Sequence, residues 1–335
     1  MTRTRLDSRP PAVLPAFVNA VQCFEVRANG PLFRVWIIPS ICPVHFTALF
    51  LLLALCLEAR AEPEDETRAP PRIMVTCGEV GLLVRQASQW TPGRIDFRGM
   101  PLTTEKSAYG TVFLFPEIGF IGTAHLENEP ESDLSVEFFL DGKAVTRPPA
   151  FLNGERFRLE RRSRIRSFVL EGTFEVHENR IWEAVTIHAQ RDTPLKLVYH
   201  FMHAWKPGVS TYLAGKDADP DESIDGALSR DERDDKRFVI GEEVDWVAVY
   251  APEDRVVAVS RLVARPAGAA SISQIWNVPG RYQKYYLKSL VNETVPTGFS
   301  GTWKMVTGFI EGEEGTWRES ARRLASELKQ APPPG

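Results

Sequence analysis

One carboxylate interrupts an apolar strand pattern near the middle of the chain. In residues 181–189, alternate positions hold Ile, Glu, Val, Ile and Ala, so Glu183 shares a sheet face with apolar neighbours. A carboxylate on such a face is costly to bury unless it is paired or used in chemistry. Glu183 is therefore a candidate acid, base or hydroxyl acceptor. A sheet-edge position or an ion pair with an arginine is the structural alternative.

The next strand carries side chains that suit proton transfer and ring stacking. Alternation over residues 195–205 puts His203 and Trp205 on one face with Tyr199, and His200 on the other. An imidazole exchanges protons near neutral pH, and an indole beside it can stack on the C–H face of a sugar ring. His203 is a candidate catalytic residue and Trp205 a candidate binding residue. The alternative for both histidines is a hydrogen-bonded place in the core.

A third histidine follows a glycine-rich strand. His125 lies in the segment GFIGTAHLE, whose glycines permit close approach of a ligand or of another stretch of backbone. We therefore count His125 among the candidate catalytic residues.

The segment RYQKYYLK combines basic and aromatic side chains. Its alternation puts these residues on one face: Tyr282, Lys284 and Tyr286. Tyrosine with a cation and a histidine is the equipment for β-elimination from uronic-acid polysaccharides, because the cation neutralises the carboxylate while tyrosine or histidine moves the proton. Arg281 and Tyr285 are candidate substrate-binding residues. The structural alternative is a solvated sheet face.

The last strand pattern supplies two more candidates. Trp303 and Glu311 share one face of the segment GTWKMVTGFIEG. Trp303 is a candidate substrate-binding residue. Glu311 either faces a cleft as a catalytic carboxylate or simply precedes the C-terminal helix.

No metal or cofactor is predicted. The aspartates of residues 217–225 have the D-x-D-x-D rhythm of a calcium loop, but Glu222 replaces the glycine of that motif and Leu228 replaces its final glutamate. Zinc spacings of the CxxC, HExxH or paired-histidine type are absent from the sequence. GxSxG, P-loop and dinucleotide motifs are absent too, which argues against a serine hydrolase, an NTPase and a Rossmann enzyme.

The elements that must position these residues are nearly all strands. From residue 72 onward, β-branched and aromatic runs alternate with turn residues, and Glu178-Asn179 has the form of a two-residue hairpin connection. No long helical pattern intervenes, so the sequence predicts an all-β fold, a large two-sheet antiparallel β-sandwich.

One helix is predicted, at the C-terminal end. Thr316 and Glu319 have the spacing of a capping box. An apolar stripe follows at helical intervals: Trp317, Ala321, Leu324 and Leu328. Pro332 would end the helix.

The N-terminal part has the features of an export signal. Residues 35–57 contain no Asp, Glu, Lys or Arg and one histidine, His45, and Ala59-Arg60-Ala61 follows with small residues at its first and third positions. This order predicts a secretory signal cleaved before Glu62. The alternative is an uncleaved membrane anchor, since about 20 apolar residues span a bilayer. The predicted organisation is an extension with signal or anchor over 1–61, a linker over 62–71 and a β-sandwich domain over 72–330.

Composition limits the partners. The 335 residues include 40 basic and 44 acidic side chains and are 43% hydrophobic, as in an ordinary globular protein. A mildly acidic chain with no basic cluster is not expected to bind nucleic acid.

Taken together, these residues resemble the galactose-mutarotase-like β-sandwich, the supersandwich of aldose epimerases and of domains in polysaccharide lyases and glycoside hydrolases. The resemblance covers residues 72–311 and rests on His203 within FMHAW, on Glu183 and on the succession of antiparallel strands. It implies that His203 is an acid and Glu311 a base acting on a sugar ring.

The hypothesis is therefore an exported, periplasmic or extracellular, carbohydrate-active protein of the epimerase/mutarotase or polysaccharide lyase type. Its cleft would contain His203, His125 and Glu183, with Trp205 stacked on the sugar. The alternatives are a non-catalytic carbohydrate-binding protein and a structural envelope protein.

Overall fold

The computed structural model describes residues 22–27, 32–37, 72–105, 110–123, 125 and 127–332. The chain forms two units, Met1–Glu66 and Thr67–Gly335. In the first unit, β1 (Gln22–Arg27) and β2 (Leu32–Ile37) pair as an antiparallel hairpin. The rest of the predicted signal or anchor segment, its cleavage site and the linker lie outside the described residues. No helix among those described is long and apolar enough to cross a membrane.

The second unit is built almost entirely of strands. Its elements are β3 (Arg72–Cys77), β4 (Val80–Arg85), β5 (Thr91–Phe97), β6 (Met100–Pro101), β7 (Val112–Phe115), β8 (Gly119–Gly122), β9 (Ser132–Leu140), β10 (Lys143–Ala144), β11 (Phe151–Gly154), β12 (Arg156–Ile165), β13 (Phe168–His177), β14 (Arg180–Ala189), β15 (Thr193–Pro194), β16 (Leu197–Trp205), β17 (Thr211–Lys216), β18 (Asp219–Ala227), β19 (Arg237–Glu242), β20 (Trp246–Ala251), β21 (Val256–Ala264), β22 (Ile272–Val278), β23 (Tyr282–Ser289), β24 (Thr294–Val295), β25 (Ser300–Glu311) and the helix α1 (Trp317–Gln330).

Two large antiparallel sheets dominate this unit. The ten-stranded sheet has the order β10-β9-β12-β13-β14-β25-β21-β20-β17-β18, and the six-stranded sheet has the order β19-β22-β23-β16-β7-β8. A smaller five-stranded sheet, β11-β3-β4-β5-β6, contains one parallel pair, β11 with β3. The predicted all-β antiparallel sandwich is confirmed, and the small sheet with its parallel pair is an addition to it.

The hydrophobic core lies where the sheets face one another. Phe113 of the six-stranded sheet stacks on Phe168 of the ten-stranded sheet, with ring centroids 4.7 Å apart, and both side chains are completely buried. Trp205 and Trp303 are buried in the same core. The sheets are therefore held together by large aromatic contacts, which contribute more than their buried area alone.

The predicted hairpin between β13 and β14 is confirmed. Glu178 and Asn179 have φ angles of 52° and 57°, and the strands pair directly from His177 and Arg180. Two consecutive positive φ values are the geometry of a type I′ turn, whose twist matches that of the flanking strands. The hairpin fixes the register of β14 and so the face on which its side chains lie.

A β-bulge in β16 changes the faces that alternation predicts. Phe201 has a φ of 54°, and the pairing of β16 with β23 shifts between His200 and His203. His200 and Phe201 both contact the core as a result, and His203 does as well. Tyr199 lies on the other face. The prediction that Tyr199 shares a face with His203 and that His200 opposes it is therefore wrong, because a bulge resets the period of two.

The acidic residues after Lys216 belong to a β-hairpin. Strands β17 and β18 pair across it. Asp217 forms ion pairs with Arg261 and with Lys329, the latter at 3.0 Å, and Asp225 pairs with Arg318 at 2.9 Å. These aspartates thus neutralise cations of β21 and of α1.

The C-terminal helix packs on the ten-stranded sheet as predicted. All four residues of its stripe are buried, and Tyr250 stacks on Trp317 with centroids 5.2 Å apart. The capping-box interpretation is wrong in detail, since the Thr316 side chain makes no capping bond. The Trp317 amide donates instead to the Glu313 carbonyl at 2.8 Å, because a turn already precedes the helix.

Replacing Leu328 by alanine tests this packing. Leu328 is fully buried between α1 and the sheet, so Leu328→Ala should lower the free energy of unfolding by about 2–5 kcal/mol. Arg323→Ala, at an exposed position of the same helix, should change it by less than about 0.5 kcal/mol. Urea unfolding followed by tryptophan fluorescence measures both. Equal losses in the two variants would contradict a helix docked through this stripe.

Candidate functional site

A buried histidine–glutamate pair links the two large sheets. His203 Nε2 on β16 lies 2.7 Å from Glu183 Oε2 on β14, and the two residues are 0% and 6% exposed. The structure thus confirms that Glu183 belongs to the core face of its strand. Its partner is a histidine rather than an arginine. The pair satisfies two polar groups that would be costly to bury alone.

Two predicted binding residues surround this pair inside the core. Trp205 and Tyr285 approach the His203 ring edge-on, with centroids 5.4 and 6.2 Å away, and each is 2% exposed or less. A cavity of about 70 Å³ is lined in part by Glu183. Pockets that hold small molecules usually measure about 300–1,000 Å³. Trp205 therefore has no ring face free to stack on a sugar. The cavity beside Glu183 is too small for a sugar ring.

The predicted binding residue Trp303 also lies in the core. Its ring stacks on His200 with centroids 4.6 Å apart, and His200 Nε2 lies 2.7 Å from Ser289 Oγ. Burial lowers the pKa of His200 to about 3. His200 is therefore neutral at physiological pH. It is the hydrogen-bonded core histidine that the sequence offered as the alternative to a catalytic residue.

Two other predicted residues lie away from the pair, at the surface. Glu311 is exposed and forms an ion pair with Arg98. It follows Met305, the cross-strand partner of Glu183, by six residues, or about 20 Å along β25. The acid–base pair of His203 with Glu311 is thus not assembled. Arg281 is exposed in the turn between β22 and β23.

The outer face of the six-stranded sheet carries a continuous group of rings and charged side chains, which we name the aromatic face. Its members are Phe120, His125, Glu127, Tyr199, Phe238, Trp276, Tyr282, Lys284 and Tyr286. The alternation of β23 supplies three of them, as the sequence predicts. Tyr199 joins them on this face, because the bulge in β16 separates it from the core-facing His203.

His125 lies at the centre of a hydrogen-bonded group on this face. Its Nδ1 is 2.8 Å from Glu127 Oε1, and its Nε2 is 2.6 Å from the Tyr199 hydroxyl. With Nδ1–H donating to the carboxylate, Nε2 accepts from the tyrosine. Burial raises the pKa of Tyr199, so the hydroxyl keeps its proton. A carboxylate that orients a histidine toward a hydroxyl is a general arrangement for proton transfer.

The charges around His125 reinforce this arrangement. Partial burial opposes ionisation of Glu127, but the hydrogen bond from His125 and the charges of His125 and Lys284 leave the pKa of this carboxyl below its ordinary value. Burial lowers the pKa of Lys284, against the opposing charge of Glu127. Carboxylate and ammonium thus share one partly desolvated surface.

The glycines beside His125 have a structural role. A side chain at Gly122 would lie 2.5 Å from the Thr111 carbonyl oxygen, so the close approach is that of the neighbouring strand. Sequence reasoning identified His125 but missed Glu127, Tyr199 and Lys284. The alternation of RYQKYYLK places Lys284 on the face opposite the buried Tyr285, and this pattern is the signal by which the sequence indicates the lysine.

Among the described residues, no group of three or more His, Cys, Asp or Glu side chains is placed to hold a metal ion.

Comparison with known proteins gives a likeness of fold. No protein-family model matches the sequence, and no curated protein matches it. Among solved structures, the chain resembles a galactose mutarotase-like protein from Clostridium acetobutylicum, at 10% identity and a TM-score of 0.42 over 72% of this chain and 94% of that one. It also resembles a GH36 α-galactosidase from Geobacillus stearothermophilus, at 12% identity and a TM-score of 0.41 over 75% of this chain and 41% of that one. At such identities the likeness concerns architecture alone, and the function must be argued from the site.

Substitution of Glu183 tests its structural role in joining the two sheets. Glu183→Ala removes the partner of His203 Nε2 and should cost about 1–3 kcal/mol of unfolding free energy, measured by urea denaturation. Glu183→Gln keeps a side chain of the same shape with hydrogen-bonding capacity and should recover most of that loss. A Glu183→Ala protein of unchanged stability would contradict the role of an inter-sheet contact.

The depressed pKa of His200 predicts a loss of stability in acid. Unfolded His200 titrates near pH 6.5 and folded His200 near pH 3, so between these values only the unfolded chain binds the proton. Above pH 6.5 the titration of His200 does not reduce the free energy of unfolding. Below pH 6.5 it lowers that free energy by about 1.4 kcal/mol per pH unit. Urea midpoints at pH 7 and pH 5 should show the wild type losing about 2 kcal/mol more than His200→Gln. Identical pH profiles would refute a buried neutral histidine.

Proposed function

We propose that this chain is a carbohydrate-active protein that binds a saccharide on the aromatic face and exchanges a proton with it through His125. The observation that carries the proposal is the Glu127–His125–Tyr199 group, which lies beside accessible rings on one sheet surface. The sequence suggested sugar chemistry around His203. Because that residue is buried in the core, we place the proposed site on the aromatic face instead.

The rings supply the apolar part of sugar recognition. Phe238 is 58% exposed and stacks on Trp276, with centroids 5.9 Å apart. Tyr282 contacts Trp276 edge-on. Aromatic rings with accessible faces bind the C–H faces of a pyranose, while nearby polar groups bind its hydroxyls. The Glu127 carboxylate and Gln274, which accepts a hydrogen bond from the Tyr286 hydroxyl at 3.2 Å, are suited to the second task.

The histidine group supplies the proton-transfer part. Glu127 holds the imidazole in one tautomer and stabilises the imidazolium that forms when His125 accepts a proton. Because the Tyr199 hydroxyl occupies Nε2, the proton travels through it: Tyr199 passes its own proton to His125 Nε2 as it takes one from the sugar, and the reverse transfer returns the proton to the sugar. Proton exchange with a sugar is common to the two reaction classes that the sequence suggested, epimerase/mutarotase-like conversion and eliminative cleavage. We propose one of these as the activity.

A non-catalytic binding protein is the second candidate. The exposed Phe238 ring and the half-buried Trp276 ring form a stacking surface that does not require His125. Under this alternative, substitution of the rings would abolish binding and no substrate would be changed.

We also propose that the protein is exported through the apolar segment over residues 35–57. The signal order of the sequence supports this location. Expression of the full chain with cell fractionation and N-terminal sequencing tests it. A mature protein that begins at Glu62 outside the cytoplasm would support a cleaved signal, and an intact chain in the membrane fraction would support an anchor. An intact chain in the cytoplasm would refute export.

Paired phenylalanine substitutions test the binding surface. Phe238→Ala should weaken saccharide binding by roughly tenfold, since an aromatic contact contributes up to about 1.5 kcal/mol. Phe151→Ala removes another exposed ring, 75% accessible against 58% for Phe238, from β11 of the small sheet and should leave affinity unchanged. A glycan array identifies the ligand, and calorimetry with the full chain measures both variants. Equal affinities for the two variants would contradict the proposed surface.

Substitution of His125 tests catalysis. His125→Gln should lower turnover by about 10²–10⁴-fold and leave the dissociation constant nearly unchanged. Anomeric exchange observed by NMR reports mutarotation, and the ultraviolet absorbance of unsaturated products reports elimination. Retained turnover in His125→Gln would exclude His125 as the proton-transfer group. Binding without turnover in the wild type would favour the non-catalytic candidate.

A further inference from the structure

Lys284 is an unusual cation on the aromatic face. Its Nζ lies 5.8 Å from the centroid of Trp276 and 5.3 Å from that of Tyr282. Within the described part of the chain, no carboxylate lies within 4.0 Å of this ammonium group and no acceptor bonds it. Glu127 acts on it only as a charge, and the Glu127 carboxylate is already bound to His125.

Other partly buried cations of this fold are compensated differently. Arg94, Arg156, Arg161 and Arg261 each form an ion pair with an aspartate or a glutamate. A cation withdrawn from water is unfavourable unless it is paired, and ring faces replace only part of its hydration. Lys284 is therefore a partly desolvated cation, held between two rings, to which an anion from outside the chain can bind.

A second lysine extends this feature along the same strand. Lys288 lies on the same face of β23, opposite Tyr199, and four residues from Lys284, or about 13 Å. A single pyranose ring is shorter than this separation. Among the described residues of the face, the ionisable groups thus include His125, Glu127, Lys284 and Lys288, with the carboxylate engaged by His125.

From this arrangement we infer that the ligand of the aromatic face is an acidic oligosaccharide. Lys284 binds a negatively charged substituent of one sugar unit, and the ring of that sugar unit stacks on Trp276 and Phe238. Lys288 binds a second charged substituent farther along the same chain. The inference rests on the proposed function, because it names the class of saccharide that the same surface takes. The charged group is a uronate carboxylate or a sulfate ester, which present the same anionic oxygens to the ammonium group.

Matched pairs of ligands test the inference. The full chain is titrated calorimetrically with tetrasaccharides of galacturonate, mannuronate and glucuronate, each beside its carboxyl-reduced neutral counterpart. A sulfated galactan tetrasaccharide is titrated beside its desulfated form. We expect at least one acidic member to bind about tenfold more tightly than its neutral partner, with the preference decreasing as salt rises. The uronate and sulfate arms identify the source of the charge.

Variants of Lys284 show whether this residue causes the preference. Lys284→Gln should abolish the preference for the acidic member and leave binding of the neutral member within about threefold. Lys284→Met, which keeps the apolar stem, should act in the same way, and thermal unfolding confirms that both variants are folded. The control is Lys304→Gln, an exposed lysine on β25 of the other large sheet, which should keep the preference.

The outcomes separate this inference from the proposed function. Equal binding of acidic and neutral members, or a preference that persists in Lys284→Gln, overturns the acidic ligand and leaves a neutral-sugar site standing. Loss of both members in folded Lys284 variants assigns the lysine a structural role and also overturns the inference. Absence of binding by every saccharide overturns the proposed function and the inference together.

Discussion

The bulge at Phe201 is the constraint on which the arrangement of side chains in this protein depends. It allows β16 to direct His200, Phe201 and His203 into the core. Tyr199 and Met202 are left on the opposite face. A regular strand would have placed Tyr199 and His203 together, because side chains alternate with a strict period of two. The positive φ of Phe201 is unfavourable for a bulky residue and persists because the packing on both sides of the strand determines it.

Once the faces are fixed, the polar groups divide into two kinds. Those inside the sandwich are paired with one another or neutral: His203 with Glu183, and His200 with Ser289. Their hydrogen bonds offset the loss of water and join strands of the core. The polar groups of the aromatic face are partly desolvated but still reachable, and the charge of Lys284 is met by rings rather than by an ion pair. This second kind of environment is the one expected of a binding surface.

The chemistry of this chain has to be read from its site. One fold can place its functional residues on different surfaces. In this chain, Glu311 is engaged by Arg98 at the surface and His203 by Glu183 inside, so the acid–base pair implied by the resemblance is not formed. The Glu127–His125–Tyr199 group offers an alternative for the same kind of proton exchange.

Local sequence patterns correctly predict the class of fold, the Glu178-Asn179 hairpin, the apolar stripe of α1 and the core-facing position of Glu183. These features follow from local periodicity and turn chemistry, which act over a few residues and can be read along the chain. Which histidine is buried and which is accessible depends instead on how the strands assemble in the folded chain. A one-residue bulge leaves no mark in an alternating pattern, yet it moves every later side chain to the other face. The partners of His203, His125 and Lys284 were equally beyond local reasoning, since each pairing depends on which strands become neighbours in the folded sheets.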